Sequence, residues 1–109
     1  MATTFNICRI CSDEGSRREG MQLREMGPGE CCLFVYDAAV SPRFWGRNTP
    51  QDLWVSLVSG GEVVDSQPIA RMDETPVALS GRGELALETL VPLEIGSCVT
   101  VSGDEVAIS

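Results

Sequence analysis

Cys8 and Cys11 are separated by two residues, and Cys31 and Cys32 are adjacent, so four of the five cysteines fall into two close-spaced pairs. Four thiolates grouped this way suggest a structural zinc site, which draws its tetrahedron from two C-x2–4-C knuckles. The spacing works against it. Along a strand, successive side chains point to opposite faces, which separates Cys31 from Cys32 and, at an odd offset, Cys8 from Cys11. Cysteine is also among the most frequently buried residue types and packs as a small apolar group. Core packing is therefore the expectation for Cys8, Cys11, Cys31 and Cys32, with no metal and no cofactor. The odd count and the lack of a secretory leader favour free thiols over disulfides.

Carboxylates offer the next chemistry. Asp13-Glu14, Asp73-Glu74 and Asp104-Glu105 are adjacent pairs. A glycosidase-like or metal-assisted hydrolase needs two carboxylates that converge with displaced pKa values. These pairs instead occupy a helix start, a polar connection and a turn, where acidic residues have ordinary local roles. The sequence contains no His, and all eight basic residues are Arg. That excludes Ser-His and Cys-His nucleophile pairs, imidazole metal ligands, Schiff-base lysines and the lysine of a phosphate-binding P-loop.

The most distinctive stretch is Phe44-Trp45-Gly46-Arg47-Asn48-Thr49. As a binding site, Phe44 and Trp45 would line a cleft, Arg47 and Asn48 would supply polar recognition, and Arg24 would be the charged companion. As a structural device, Trp45 would plug one end of a barrel while Asn48 and Thr49 bond the backbone of a turn. The structural role is the expectation. Any ligand site is expected here.

These residues must be positioned by a small scaffold. At 109 residues the chain fits one domain, 1–109, and 43% apolar content suits a packed core. Thr4–Ile10 alternates as a strand, with Phe5, Ile7 and Arg9 on one side. Ser12 or Asp13 caps a short helix that stops at Gly20. Cys31–Tyr36 is an apolar run of buried-strand length. A loop from Ser41 carries Phe44-Trp45. The second half then alternates strands with glycine turns: Leu53–Val58 and Glu62–Gln67 around Ser59-Gly60-Gly61, Val77–Leu79 and Glu84–Leu90 around Ser80–Gly83, and Cys98–Val101 and Glu105–Ile108 around Ser102–Asp104. The expected class is mostly β, at the margin of α+β, as a small barrel- or sandwich-like sheet with one short N-terminal helix.

Several of these segments, in order, resemble the domain-of-unknown-function 192 family. They are Gly20-Met21-Gln22-Leu23-Arg24, Cys32–Tyr36, the Phe44–Thr49 hexapeptide, Leu53-Trp54-Val55-Ser56-Leu57 and Gly61–Asp65. Ala86-Leu87-Glu88 and Leu93–Val99 look like the family's closing segments. The resemblance covers residues 5 to 101, and the hexapeptide is its most specific part. Gly46 replaces the family's Met, Trp54 replaces a usual acidic residue, and the stretch between Glu88 and Leu93 is short. The resemblance implies a small, mostly β fold with one short helix near the start. It implies no activity, because the family has no established general function.

The net charge of −8 disfavours nucleic acid and anionic membranes, which require a basic face. The first residues contain no signal-peptide core, so cytoplasmic synthesis is expected. The leading functional expectation is a non-enzymatic interaction or structural assembly domain, engaging a protein partner or self-assembling through exposed strand edges. Its specific form is a subunit of a larger particle such as a phage virion: a capsid, decoration or tail component. The alternative is a small-molecule-binding domain, or a weak hydrolase, using a cleft around Trp45.

Overall fold

The computed structural model describes residues 2–109. Strand β1 (Thr3–Cys11) leads into helix α1 (Glu14–Glu19) and strand β2 (Glu30–Val40). Asp13 caps the helix: its carboxylate accepts from the Ser16 backbone N–H at 2.7 Å, and the Ser16 hydroxyl accepts from the Asp13 N–H at 3.2 Å. This reciprocal pair satisfies two N–H groups at the helix start. Gly20 ends the helix at φ +49°. The remaining elements are β3 (Arg43–Phe44), β4 (Leu53–Ser59), β5 (Glu62–Ile69), β6 (Val77–Ala78), β7 (Gly83–Thr89), β8 (Val99–Ser102) and β9 (Glu105–Ile108). The architecture is the mostly β class expected, with one six-residue helix. Among the described residues, no helix is long and apolar enough to cross a membrane.

Seven strands form one curled sheet in the order β5-β4-β7-β2-β1-β9-β8. Hairpins join β4 to β5 through Gly60-Gly61, both at positive φ, and β8 to β9 through Gly103-Asp104. β1 and β2 instead run parallel, with α1 in the crossover. The strand order leaves β5 and β8 as edges, but the curl brings them together. The Val63 N–H donates to the Ser97 carbonyl at 2.9 Å, Gly96 donates to Val63 at 2.8 Å, and Val99 donates to Gly61 at 2.8 Å. The edges expected to be free for a partner are therefore stitched over this stretch, leaving Thr100–Ser102 as the open part of β8.

Two further expectations are corrected. The segment after Ser41 is not all loop, because Arg43-Phe44 pairs with Val77-Ala78 as a separate two-stranded ribbon. The strands around Ser80–Gly83 do not pair with each other: β6 joins that ribbon, while β7 lies between β4 and β2. Turn residues mark a chain reversal without specifying which strands will meet.

Both faces of the sheet carry a core. Cys32 and Phe34 pack on one face with Val55, Leu57 and Ala86, whereas Cys31 and Leu33 pack on the other with Val63, Leu87 and Val106. Adjacent cysteines thus lie on opposite faces, as strand geometry dictates. A bulge in β1 decides where Cys11 goes. Ile7 lies opposite Cys31 and Arg9 opposite Cys32, so Cys8 is an extra residue. That extra residue flips the rest of the strand. Phe5 and Ile7 belong to one core and Cys11 joins Cys32 in the other, whereas Cys8, expected in the core, is the extra residue of the bulge and is exposed instead.

Candidate functional site

A cleft of about 430 Å³ opens between α1 and the β3–β6 ribbon, above the face of the sheet that holds Phe34. Its walls are aromatic. Phe44 is buried and meets Phe34 edge-on, with centroids 5.1 Å apart and planes at 80°. Tyr36 and Trp45 complete the walls, half-buried. Burial pushes the Tyr36 phenol up to about 12, so it stays a neutral hydrogen-bonding group. The Arg17 guanidinium lies 5.0 Å over the Tyr36 ring and donates to the Val35 carbonyl at 2.9 Å.

At the end of the cleft lies Glu88. It occupies β7, opposite Cys32 of β2 and Val55 of β4, and so points to the same face as those core residues. Only 4% of it is exposed, and its Oε1 has no hydrogen-bond partner. Burial first, and the negative Cys11 sulfur second, push its carboxyl up to about 8, leaving it mostly protonated at neutral pH. An orphaned carboxyl in an apolar core costs roughly 1–3 kcal/mol, and sites of this kind cluster where ligands bind. A lone glutamate among Leu85, Ala86, Leu87 and Leu90 was the available signal. Sequence reasoning passed over it except as part of a family segment.

Behind Glu88 sits a thiol pair. Cys11 and Cys32 place their sulfurs 3.7 Å apart, and Arg9 Nε donates to Cys11 Sγ at 3.2 Å. The hydrogen bond from the Cys32 thiol, reinforced by Arg9, holds Cys11 below the ordinary thiol range, while the same bond and burial raise Cys32. Both thiols are free.

The hexapeptide divides. Phe44 and Trp45 line the cleft, but Arg24, Arg47 and Asn48 do not. Arg24 pairs with Glu19 at 3.7 Å on the surface. Arg47 covers the Trp45 ring at 5.3 Å and faces Glu74 at 3.6 Å. The Thr49 hydroxyl donates to the Arg47 carbonyl at 3.1 Å, the turn role expected of it, whereas Asn48 reaches the Gln22 side chain at 3.5 Å. The buried aromatic is Phe44, and Trp45 is a half-exposed wall, not a plug. Trp45→Ala is therefore expected to cost about 1–2 kcal/mol in denaturant unfolding, less than the roughly 3–5 kcal/mol of a fully buried ring.

Three loops meet at the hexapeptide turn with strained backbones. Leu23, Asn48 and Met72 all have left-handed backbones, at φ 59°, 51° and 59°. Leu23 N–H donates to the Asn48 carbonyl at 2.8 Å, and Met72 N–H to the Thr49 carbonyl at 3.1 Å. Leucine and methionine avoid this region, at about 1–2 kcal/mol each. The backbone hydrogen bonds around them hold these positions against that cost.

No protein-family model and no curated protein matches the sequence. Solved structures do share the fold. A protein of unknown function from Novosphingobium aromaticivorans superposes with a TM-score of 0.72 at 22% identity, over 82% of this chain and 71% of that one. A "putative transcription regulator" from Sinorhizobium meliloti superposes with a TM-score of 0.71 at 19% identity, over 75% of this chain and 66% of that one. At these identities the likeness is one of fold.

Proposed function

We propose that this chain is a non-enzymatic small-molecule-binding domain whose ligand enters the cleft beside Trp45 and meets the Glu88 carboxyl at its floor. The observation that carries this reading is the unpartnered Glu88 oxygen, in a residue 4% exposed, at the end of an aromatic cleft. A buried polar group without a partner is a cost that a ligand supplying one would remove. The volume falls within the range of ligand pockets, about 300–1,000 Å³.

An assembly role, as a partner-binding subunit of a larger particle such as a phage virion, is the second reading. It has in its favour the exposed Leu23 and Met72, 86% and 61% accessible, and the open edge at Thr100–Ser102. The stitching of β5 to the segment before β8 weakens it.

An NMR screen of neutral, anionic and cationic organic fragments tests the first reading. Ligands are expected whose shift changes cluster at Gly20, Tyr36, Trp45 and Glu88. Fragments that perturb only other surfaces, or none that bind at all, would remove it.

A further inference from the structure

The charged groups around the cleft are unevenly matched. Glu14 pairs with Arg18 at 3.4 Å, and Glu19 takes both Arg9 at 3.3 Å and Arg24 at 3.7 Å. Both mouth carboxylates are thus already neutralised by arginines. Arg17 and Arg43 line the same cleft, and among the described residues neither has a carboxylate within ion-pair distance. Arg17 bonds only a carbonyl and stacks on Tyr36, which leaves the rest of its fork free. Two guanidiniums without carboxylate partners thus face one aromatic cleft in a chain with net charge −8.

Each part of the cleft selects for a different part of a ligand. A guanidinium presents planar donors matched to carboxylate or phosphate oxygens. Phe34, Tyr36, Phe44 and Trp45 suit a flat, unsaturated body. At the floor, the Glu88 carboxyl in its neutral form has an O–H to donate and a carbonyl to accept, so a hydroxyl or amide-like group would satisfy it. An anion at the floor would gain no such cationic partner.

From this arrangement, and resting on the small-molecule reading above, we propose that the cleft takes a flat organic acid. Its anionic head lies at Arg17 and Arg43, its ring between the aromatic walls, and a hydroxyl or amide-like group at Glu88. The proposal adds a charge and an orientation to a site otherwise defined only by shape.

Three probes separate the parts by isothermal titration and NMR: 4-hydroxycinnamate, the uncharged 4-hydroxycinnamamide, and cinnamate, which lacks the hydroxyl. The acid is expected to bind most tightly, and the amide about five- to tenfold more weakly. Cinnamate should also lose affinity, with its shift changes fading at Glu88. Arg43→Gln, an exposed position with no recorded side-chain bond to lose, should weaken the acid without affecting the amide. Glu88→Leu, which removes both donor and acceptor, should narrow the gap between the acid and cinnamate, whereas Glu88→Gln, whose amide keeps both, should preserve it. Equal binding of acid and amide, or an Arg43→Gln effect on both, would overturn the anionic class while leaving the cleft reading intact. If the fragment screen finds cleft ligands but none is an acid, the inference also fails by itself. If nothing binds the cleft, both fall together.

Discussion

Between pH 5 and 8, the wild-type chain is expected to lose stability relative to Glu88→Gln by on the order of 3–4 kcal/mol. The sign follows from proton binding. The folded carboxyl titrates near 8 and an unfolded glutamate near 4.5. Across the interval the folded state holds a proton that the unfolded state has released, so stability falls as pH rises, by at most about 1.4 kcal/mol per pH unit. The full penalty is present above pH 8 and vanishes below 4.5. Cys11 acts in the opposite sense, because its depressed folded pKa adds stability as pH rises through it. The difference between wild type and variant therefore carries the Glu88 contribution, not the wild-type curve alone. Asp13 and Asp73, both held low by hydrogen bonds to backbone N–H groups, lose their contribution only at more acidic pH, outside this window. Urea unfolding at several pH values gives the comparison. Parallel wild-type and variant curves would contradict it.

Gly46→Ala is expected to destabilise the chain by about 3 kcal/mol or more and to distort the cleft wall. A Cβ on Gly46 would lie 1.9 Å from the Ala70 carbonyl oxygen, 3.0 Å from its carbon and 3.2 Å from the Asp73 nitrogen. Those atoms are backbone, so no side chain can swing aside. The Gly46 N–H also donates to the Asp73 carbonyl at 2.7 Å, and displacing the loop breaks that bond. Because Trp45 adjoins Gly46, its fluorescence should shift with the loss of stability. Gly15→Ala is the control: it lies in α1 with its nearest neighbour at 3.7 Å, and alanine there should be neutral or stabilising by up to about 1 kcal/mol. Similar thermal midpoints for Gly46→Ala and wild type would show that the loop has room the structure lacks.

Local signals in the sequence foretold local structure. Asp13 and Gly20 bracketed the helix, the Cys31–Tyr36 run foretold a buried strand, and Gly60-Gly61 and Gly103-Asp104 foretold hairpins. What they could not specify was which distant segments meet. The parallel pairing of β1 with β2, the Arg43-Phe44 ribbon and the stitching of Gly96–Val99 onto β5 all depend on contacts between remote parts of the chain. The bulge at Cys8 is a subtler case: one extra residue reverses the faces that simple alternation assigns to Cys11. The candidate site was half legible for the same reason. Phe44 and Trp45 stood out by type, whereas Arg47 and Asn48 were grouped with them by nearness in sequence and Arg24 by its charge, and all three lie outside the cleft. Glu88 looked like one more residue of a strand until its neighbours from β2 and β4 buried it.

The most direct test is to titrate the Glu88 side-chain carboxyl by carbon-detected NMR, free and with a cleft ligand bound. A midpoint near 8 in the free protein, moving on ligand binding, is the predicted result. A midpoint near 4.5 that no ligand moves would mean that Glu88 is solvated or already paired, and would contradict its place as the unpartnered floor of a binding cleft.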